Sequence, residues 1–352
     1  MLFDPRPKTR REDLFGRERE LENLARNIDS PITVITGIRR IGKSSILSVF
    51  LNEVNIPSII VDVRNLPLNY SLKDFYHVLS KTLSSRMDRF IEIIKGISSI
   101  KVLGGEVEIK WKGKGALSLP LLFDLLNRKR VIVAFDEGQK LRGPRSTEIL
   151  NALAHAYDYD KNITFIFTGS EVGLLYSFLG VNDTKSPLYG RYHYNLTIER
   201  FSRDLAEDFL KAGFKELNIE VNRETIEEAL SFFNGIPGWL TFFGNEYYKG
   251  SKRFALIKDM AVNLALEELE NVVKERGKRY ATVLRAIALG EKSWGKIKRY
   301  VEEKEGSTIS SSILSNIIRN LEDLSVIKDY NFLDPLYKEA SLKLSYAYRN
   351  SL

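Results

Sequence analysis

Short apolar runs alternate with amphipathic ones through the first 200 residues. Ile32 to Thr36, Ser58 to Val63, Arg130 to Phe135 and Asn162 to Phe167 are apolar on both faces, as strands buried inside a parallel sheet are; Tyr192 to Ile198 is a fifth, weaker run. Between them lie helical patterns. Leu21, Leu24 and Ile28 recur at three and four residues, Ser45 to Leu51 continues past a glycine-bounded loop, and residues 71–95 and Leu119 to Asn127 follow the same period. Strand and helix in alternation over residues 30–200 predict a parallel sheet with helices on both faces. Residues 97–118 interrupt it with Gly104-Gly105 between two apolar stretches, a β-hairpin insertion.

Beyond residue 200 the strand patterns stop. Ser202 and Asn222 stand as caps ahead of the stripes Leu205, Phe209, Leu210 and Ile226, Ala229, Leu230, Phe233, and two more helices near 238–249 and 254–276 complete an all-α unit ending at Gly277. Three further stripes follow: Tyr280, Val283, Leu284 and Ile287; Trp294, Ile297 and Val301; Leu314, Ile317, Leu321 and Leu324. With a short hairpin over Val326 to Leu333 they give the plan of a winged helix-turn-helix. The expected divisions are a basic, exposed arm at 1–13, an α/β core at 14–200, a helical domain at 201–277 and a winged helix at 278–352.

Composition narrows the chemistry. The 352 residues contain no cysteine, and His77, His155 and His193 are far apart, so neither a thiolate nucleophile nor a Cys- or His-rich metal cluster is expected. No run of about eighteen apolar residues occurs, and the expectation is a cytoplasmic protein without membrane contact. The net charge of +7 against 53 basic and 46 acidic residues tilts weakly toward anionic partners. Few Met, one Gln and many charged residues resemble thermophile composition.

The run Gly37-Ile38-Arg39-Arg40-Ile41-Gly42-Lys43-Ser44 fits G-x-x-x-x-G-K-[ST] and sits between a predicted strand and a helix that continues through Ser45. Such a loop cradles phosphates with its backbone N–H groups, while Lys43 reaches the outer phosphates and Ser44 offers a hydroxyl to Mg²⁺. Hydrolysis then needs a carboxylate for the metal and another for the attacking water. Asp62 ends the second strand alone, whereas Asp136 ends the third and is followed by Glu137, which assigns holding Mg²⁺ through water to Asp136 and polarisation of the attacking water to Glu137. At the next strand end Thr168 or Ser170 is a candidate contact to the water or the γ-phosphate, and Arg191 is a candidate cation.

The ordered set FGRERE (15–20), GIRRIGKS (37–44), VIVAFDE (131–137), FTGS (167–170), PLYGR (187–191) and GIPG (235–238) resembles the archaeal ATPase family within the STAND class of AAA-like, additional-strand P-loop NTPases. The resemblance implies a five-stranded parallel sheet of order 5-1-4-3-2, a helical lid and a winged helix. It also implies ATP/ADP as the nucleotide, Phe15-Gly16-Arg17 bordering adenine, Pro237 bringing the lid to the nucleotide and Arg191 sensing the γ-phosphate. Two departures stand out: residues 97–118 are an insertion that does not map onto the family's motifs, and no long repeat array follows the winged helix. Arg39 and Arg40 occupy positions that the loop pattern leaves free.

For the last domain, residues 278–352 carry 13 Lys/Arg against 9 Asp/Glu, and the candidate recognition helix presents Ser311, Ser312, Asn316, Arg319 and Asn320. Double-stranded DNA, an unidentified protein and the lid itself are the candidate partners. The expected function is an ATP-dependent, Mg²⁺-requiring switch with slow hydrolysis; the alternative is a DNA-binding regulator whose nucleotide is structural. A phosphotransferase is the weakest alternative, since no acceptor site is legible. The oligomeric state is not legible either.

Overall fold

In the computed structural model, residues 1–67, 69–95 and 97–344 are described. The last residues assigned to the winged helix, 345–352, lie outside them. The chain divides into two compact units. One comprises Pro7–Gly37 and Gly42–Ile198; the other comprises Met1–Arg6, Ile38–Ile41 and the chain from Glu199 onward.

The first unit runs α1 (Glu18–Arg26), β1 (Ile32–Thr36), α2 (Lys43–Glu53), β2 (Ser58–Asp62), α3 (Leu72–Ser84), α4 (Met87–Ile94), β3 (Ile100–Leu103), β4 (Glu106–Ile109), α5 (Leu119–Leu126), β5 (Val131–Asp136), α6 (Ser146–Tyr159), β6 (Ile163–Gly169), α7 (Val172–Leu179) and β7 (Tyr194–Thr197). Five strands form one parallel sheet in the order β2-β5-β6-β1-β7. Renumbered without the inserted hairpin, this is the expected order 5-1-4-3-2. Every residue of β1, β5 and β6 is buried, which is why those segments read as unbroken apolar runs, while the edge strands β2 and β7 are only partly covered. Phe75, Phe135 and Phe167 stack in succession at centroid separations of 6.4 and 5.1 Å across one face.

The helical stretch at 71–95 is two helices. Ser84 and Ser85 turn their hydroxyls onto the carbonyls of Ser80 and Thr82, the competition with the helix ladder that Ser residues offer where a helix ends. The inserted hairpin, β3 paired antiparallel with β4, docks on α3: the N–H groups of Val107 and Ile109 donate to the Ser84 and Ser80 hydroxyls at 2.8 and 3.1 Å, and both side chains are buried.

The second unit is helical: α8 (Arg203–Glu216), α9 (Arg223–Phe233), α10 (Pro237–Tyr248), α11 (Phe254–Arg276), α12 (Arg279–Ala288), α13 (Trp294–Glu305) and α14 (Ser311–Asp323), then β8 (Ile327–Lys328), β9 (Asn331–Phe332) and α15 (Pro335–Lys343). Ser202 and Asn222 accept from Leu205 and Thr225 N–H groups as caps. Two expectations change. Residues 1–13 are not exposed throughout: Phe3 is 1% exposed, edge-on to Phe209 and Phe214, and a Cβ on Gly213 or Gly244 would lie 2.3 or 2.4 Å from its ring, so both glycines make room for it. The winged helix also does not end at its hairpin, because α15 follows and packs on α11 and α12. Among the described residues no helix is long and apolar enough to cross a membrane.

Candidate functional site

In the first unit, β1, β5 and β6 deliver their C-terminal ends side by side. The loop after β1 turns into α2 through Gly42, whose φ of 102° suits glycine far better than residues with a side chain. Lys43 opens α2, is 5% exposed, and donates from Nζ to the Gly37 carbonyl at 2.8 Å. Ser44 donates from Oγ to the Asp136 carboxylate at 3.0 and 3.1 Å. A hydroxyl beside a carboxylate at the end of a buried strand is an all-oxygen donor set, which fits a hard cation such as Mg²⁺.

Asp136 also accepts from Thr168 Oγ1 at 2.5 Å, and the same Thr168 oxygen accepts the Glu137 N–H at 3.0 Å. Glu137 itself has left-handed backbone, φ 59°. That conformation, sparsely populated by residues with side chains, turns its carboxylate toward Ser170, whose Oγ donates at 2.7 Å and whose N–H donates at 3.3 Å, and Gln139 Nε2 donates at 2.5 Å. Burial raises the Glu137 carboxyl, but the Lys43 charge and the bonds from Ser170 and Gln139 outweigh it, so the group is held below the ordinary glutamate range.

The structure thus brings Ser44, Asp136, Glu137, Thr168 and Ser170 into one hydrogen-bonded array, with the Lys43 charge acting on Glu137 beside it. Other sequence candidates have different partners. Ser45 Oγ accepts the Lys8 N–H at 3.0 Å, and buried Arg17, following Gly16 and the half-buried Phe15, donates to Glu20 at 2.7 Å. Arg191 is bidentate to Asp158, at 3.2 and 2.7 Å, donates to the Pro187 carbonyl and lies over Tyr157.

Two residues were missed by the sequence reading. Gln139, the chain's single glutamine, stands two places after Glu137. Arg64 follows the end of β2, pairs with Asp62 at 2.8 Å and comes within 3.9 Å of Asp136, because Asp62 and Asp136 are register partners. A cation two residues past the lone acid of the second strand was the available signal.

Ile38–Ile41 group with the second unit. There Arg40 donates to Glu268 at 2.5 and 3.2 Å, its guanidinium lies 3.9 Å from the Trp239 ring centroid, and its carbonyl accepts the Gly238 N–H at 2.9 Å. Arg39 approaches Glu268 at 3.7 Å. Tyr337 donates to Glu268 and Trp239 donates to Asp334, each at 2.7 Å. Pro237 takes the first position of α10, next to Gly238.

A P-loop sheet with an acid pair on its third strand, joined to a helical unit and a winged helix, defines the class of P-loop NTPases of the additional-strand type. Residues 14–243 match the model of an ATPase domain predominantly from Archaea, and the chain belongs to that family. Residues 274–340 match the C-terminal winged helix-turn-helix domain of MCM proteins. Among solved structures, a Walker-type ATPase of Pyrococcus abyssi is 38% identical, with a TM-score of 0.82, over 97% of this chain and 99% of that one. A STAND protein with a tetratricopeptide-repeat sensor from Pyrococcus horikoshii is 16% identical over 97% of this chain and 44% of that one, with a TM-score of 0.45. AMPPCP-bound DnaA from Aquifex aeolicus is 15% identical over 90% and 92% of the two chains, with a TM-score of 0.41. No curated protein matches.

Proposed function

We propose that the protein is a Mg²⁺-dependent ATPase that works as a nucleotide-controlled switch. The observation that carries this reading is the array joining Ser44, Asp136, Thr168, Glu137 and Ser170 at the C-terminal ends of adjacent parallel strands, with the Lys43 charge beside Glu137. Loop N–H groups from Gly37 to Ser45 hold the β- and γ-phosphates, and Lys43 exchanges the Gly37 carbonyl for phosphate oxygens. Ser44 directly, and Asp136 through water, would hold Mg²⁺, which when bound offsets the charge on the phosphates. Glu137 takes a proton from water as its oxygen bonds to the γ-phosphorus and the bond from that phosphorus to the departing ADP oxygen breaks.

For that step Glu137 must face the water, whereas here its carboxylate is fastened to Ser170 and Gln139. Release of Glu137 from those donors is therefore part of the cycle, and it suits slow hydrolysis. Arg191 likewise exchanges Asp158 for the γ-phosphate if it senses ATP. Phe15 to Arg17 border the adenine, and Pro237 positions the lid toward the nucleotide.

Purified full-length protein tests the reading. Lys43→Ala is expected to lose ATP binding measured by titration calorimetry; unchanged binding and turnover would remove the nucleotide from this loop.

A second reading concerns the winged helix, favoured by the match to the MCM domain and by exposed Ser311, Ser312, Asn316 and Arg319 on α14. Duplex DNA bound there gives an affinity that falls steeply with salt and drops when Arg319, Lys296 and Lys298 become Ala. Asn320 has less freedom for bases, since it donates to the Tyr280 hydroxyl at 2.7 Å. Absence of retention on duplex DNA at low salt would sink this reading and leave a protein partner as its replacement.

A further inference from the structure

The first unit holds a second group of ionisable side chains, away from the phosphate loop. Asp124 lies on α5, His155 on α6, and Asp160 directly after α6 and before β6, at the end of the sheet opposite Asp136. One ligand atom from each lies within 4.8 Å of the other two, and His155 Nε2 is 2.7 Å from Asp124 Oδ1. Asp160 is 3% exposed, and its Oδ2 is buried with no hydrogen-bond partner. Its backbone is fully used, the N–H donating to Ala156 and the carbonyl accepting from Ile163, so the carboxylate is held in place.

A buried carboxylate oxygen without a donor is costly, and a second carboxylate beside it adds repulsion. A divalent cation would relieve both penalties. The half-exposed Asp124 and His155 leave one side open to solvent, through which an ion enters and on which waters complete its coordination.

We propose that Asp124, His155 and Asp160 form a site for a first-row transition ion of the Zn²⁺ class. One imidazole and two carboxylates suit such an ion, whereas Mg²⁺ prefers oxygen alone. The site stitches α5 to the turn between α6 and β6, two segments already joined by Asn162, which donates from its N–H to Asn127 Oδ1 and from Nδ2 to the Asn127 carbonyl at 2.9 and 2.8 Å. Its role is structural. The histidines are too scattered to announce such a site, and two of its three ligands are aspartates.

The test uses chelator-stripped full-length protein titrated with ZnCl₂ by calorimetry and with CoCl₂ by visible absorption, in the absence of nucleotide. The expected result is one ion per chain, visible Co²⁺ bands, and a melting temperature that rises by several degrees at about 100-fold excess over Kd. Ser44→Ala/Asp136→Ala should bind equally well, which separates this site from the nucleotide's metal. His155→Ala and Asp160→Asn, checked for folding by circular dichroism, should each weaken binding at least about tenfold, the scale of losing one metal contact. Stoichiometric binding unchanged in both folded variants, or no binding to the stripped protein, would overturn the proposal.

Discussion

Each unit buries a carboxylate cluster, and the two are held by different kinds of donor. Glu137 is fastened by neutral groups, the Ser170 hydroxyl and the Gln139 amide, with Lys43 acting through its charge. Glu268 is fastened by a guanidinium that also lies over Trp239, and by the Tyr337 hydroxyl. Both carboxyls are raised by burial and then brought below the ordinary glutamate value, Glu137 chiefly by the Lys43 charge and Glu268 chiefly by the Arg40 hydrogen bonds. Neutral donors can release a carboxylate at modest cost, whereas separating a partly buried ion pair leaves two uncompensated charges. The first cluster is built to change partners and the second to keep them.

The sharpest test of that difference is Glu137→Gln. It keeps the shape and the donors but removes the proton acceptor, so ATP binding persists while single-turnover hydrolysis falls by at least about a hundredfold, the range for a general base. The melting temperature falls by no more than a few degrees, since the amide oxygen still accepts from Ser170 and Gln139 and only the attraction to the Lys43 charge is lost. Unchanged turnover would move the base elsewhere. A smaller effect is expected at Ser170. Ser170→Ala frees Glu137 from its hydroxyl donor, and hydrolysis changes by about tenfold, the scale of one hydrogen bond to a charged group. A faster rate would mean that the bond restrains Glu137; a slower one would mean that Ser170 acts in the transition state. No change at all would break the view that Ser170 controls Glu137.

What the sequence revealed follows the same division. Buried strands write themselves as unbroken apolar runs, and a phosphate loop needs fixed residues at fixed spacing, so the sheet and the meeting of Lys43, Ser44, Asp136 and Glu137 were legible. The Arg40 partners were not. Glu268 lies 228 residues away in the chain, and no local pattern pairs an arginine at a free loop position with an acid on a helix of another domain. The burial of Phe3 and the added helix α15 were hidden for the same reason: each depends on a long-range surface that local periodicity does not encode. Arg64 was hidden more narrowly, because it matters only through the register that sets Asp62 opposite Asp136.

Arg40→Ala reports on the second cluster. It removes the ion pair and the contact with Trp239, and the expected cost is about 1–3 kcal/mol of stability, below the fully buried case because Arg40 and Glu268 keep 25% and 22% of their side chains exposed. Chemical denaturation monitored by tryptophan fluorescence reads it directly. A variant as stable as the wild type would show that this cluster, too, is held loosely.

The smallest effect is in the pH dependence of that stability. Glu268 has a folded value below its ordinary 4.5, so its ionised form is favoured by folding. Its contribution is fully present above about pH 4.5, the unfolded value, and is lost as pH falls through the lower folded one. The stability difference between wild type and Glu268→Gln should therefore be flat from pH 8 to about pH 5 and shrink on further acidification. A difference that instead narrows between pH 8 and 6 would locate the titrating group elsewhere. A difference unchanged down to pH 3 would mean that Glu268 contributes through packing and the Tyr337 hydrogen bond, with no share from its charge.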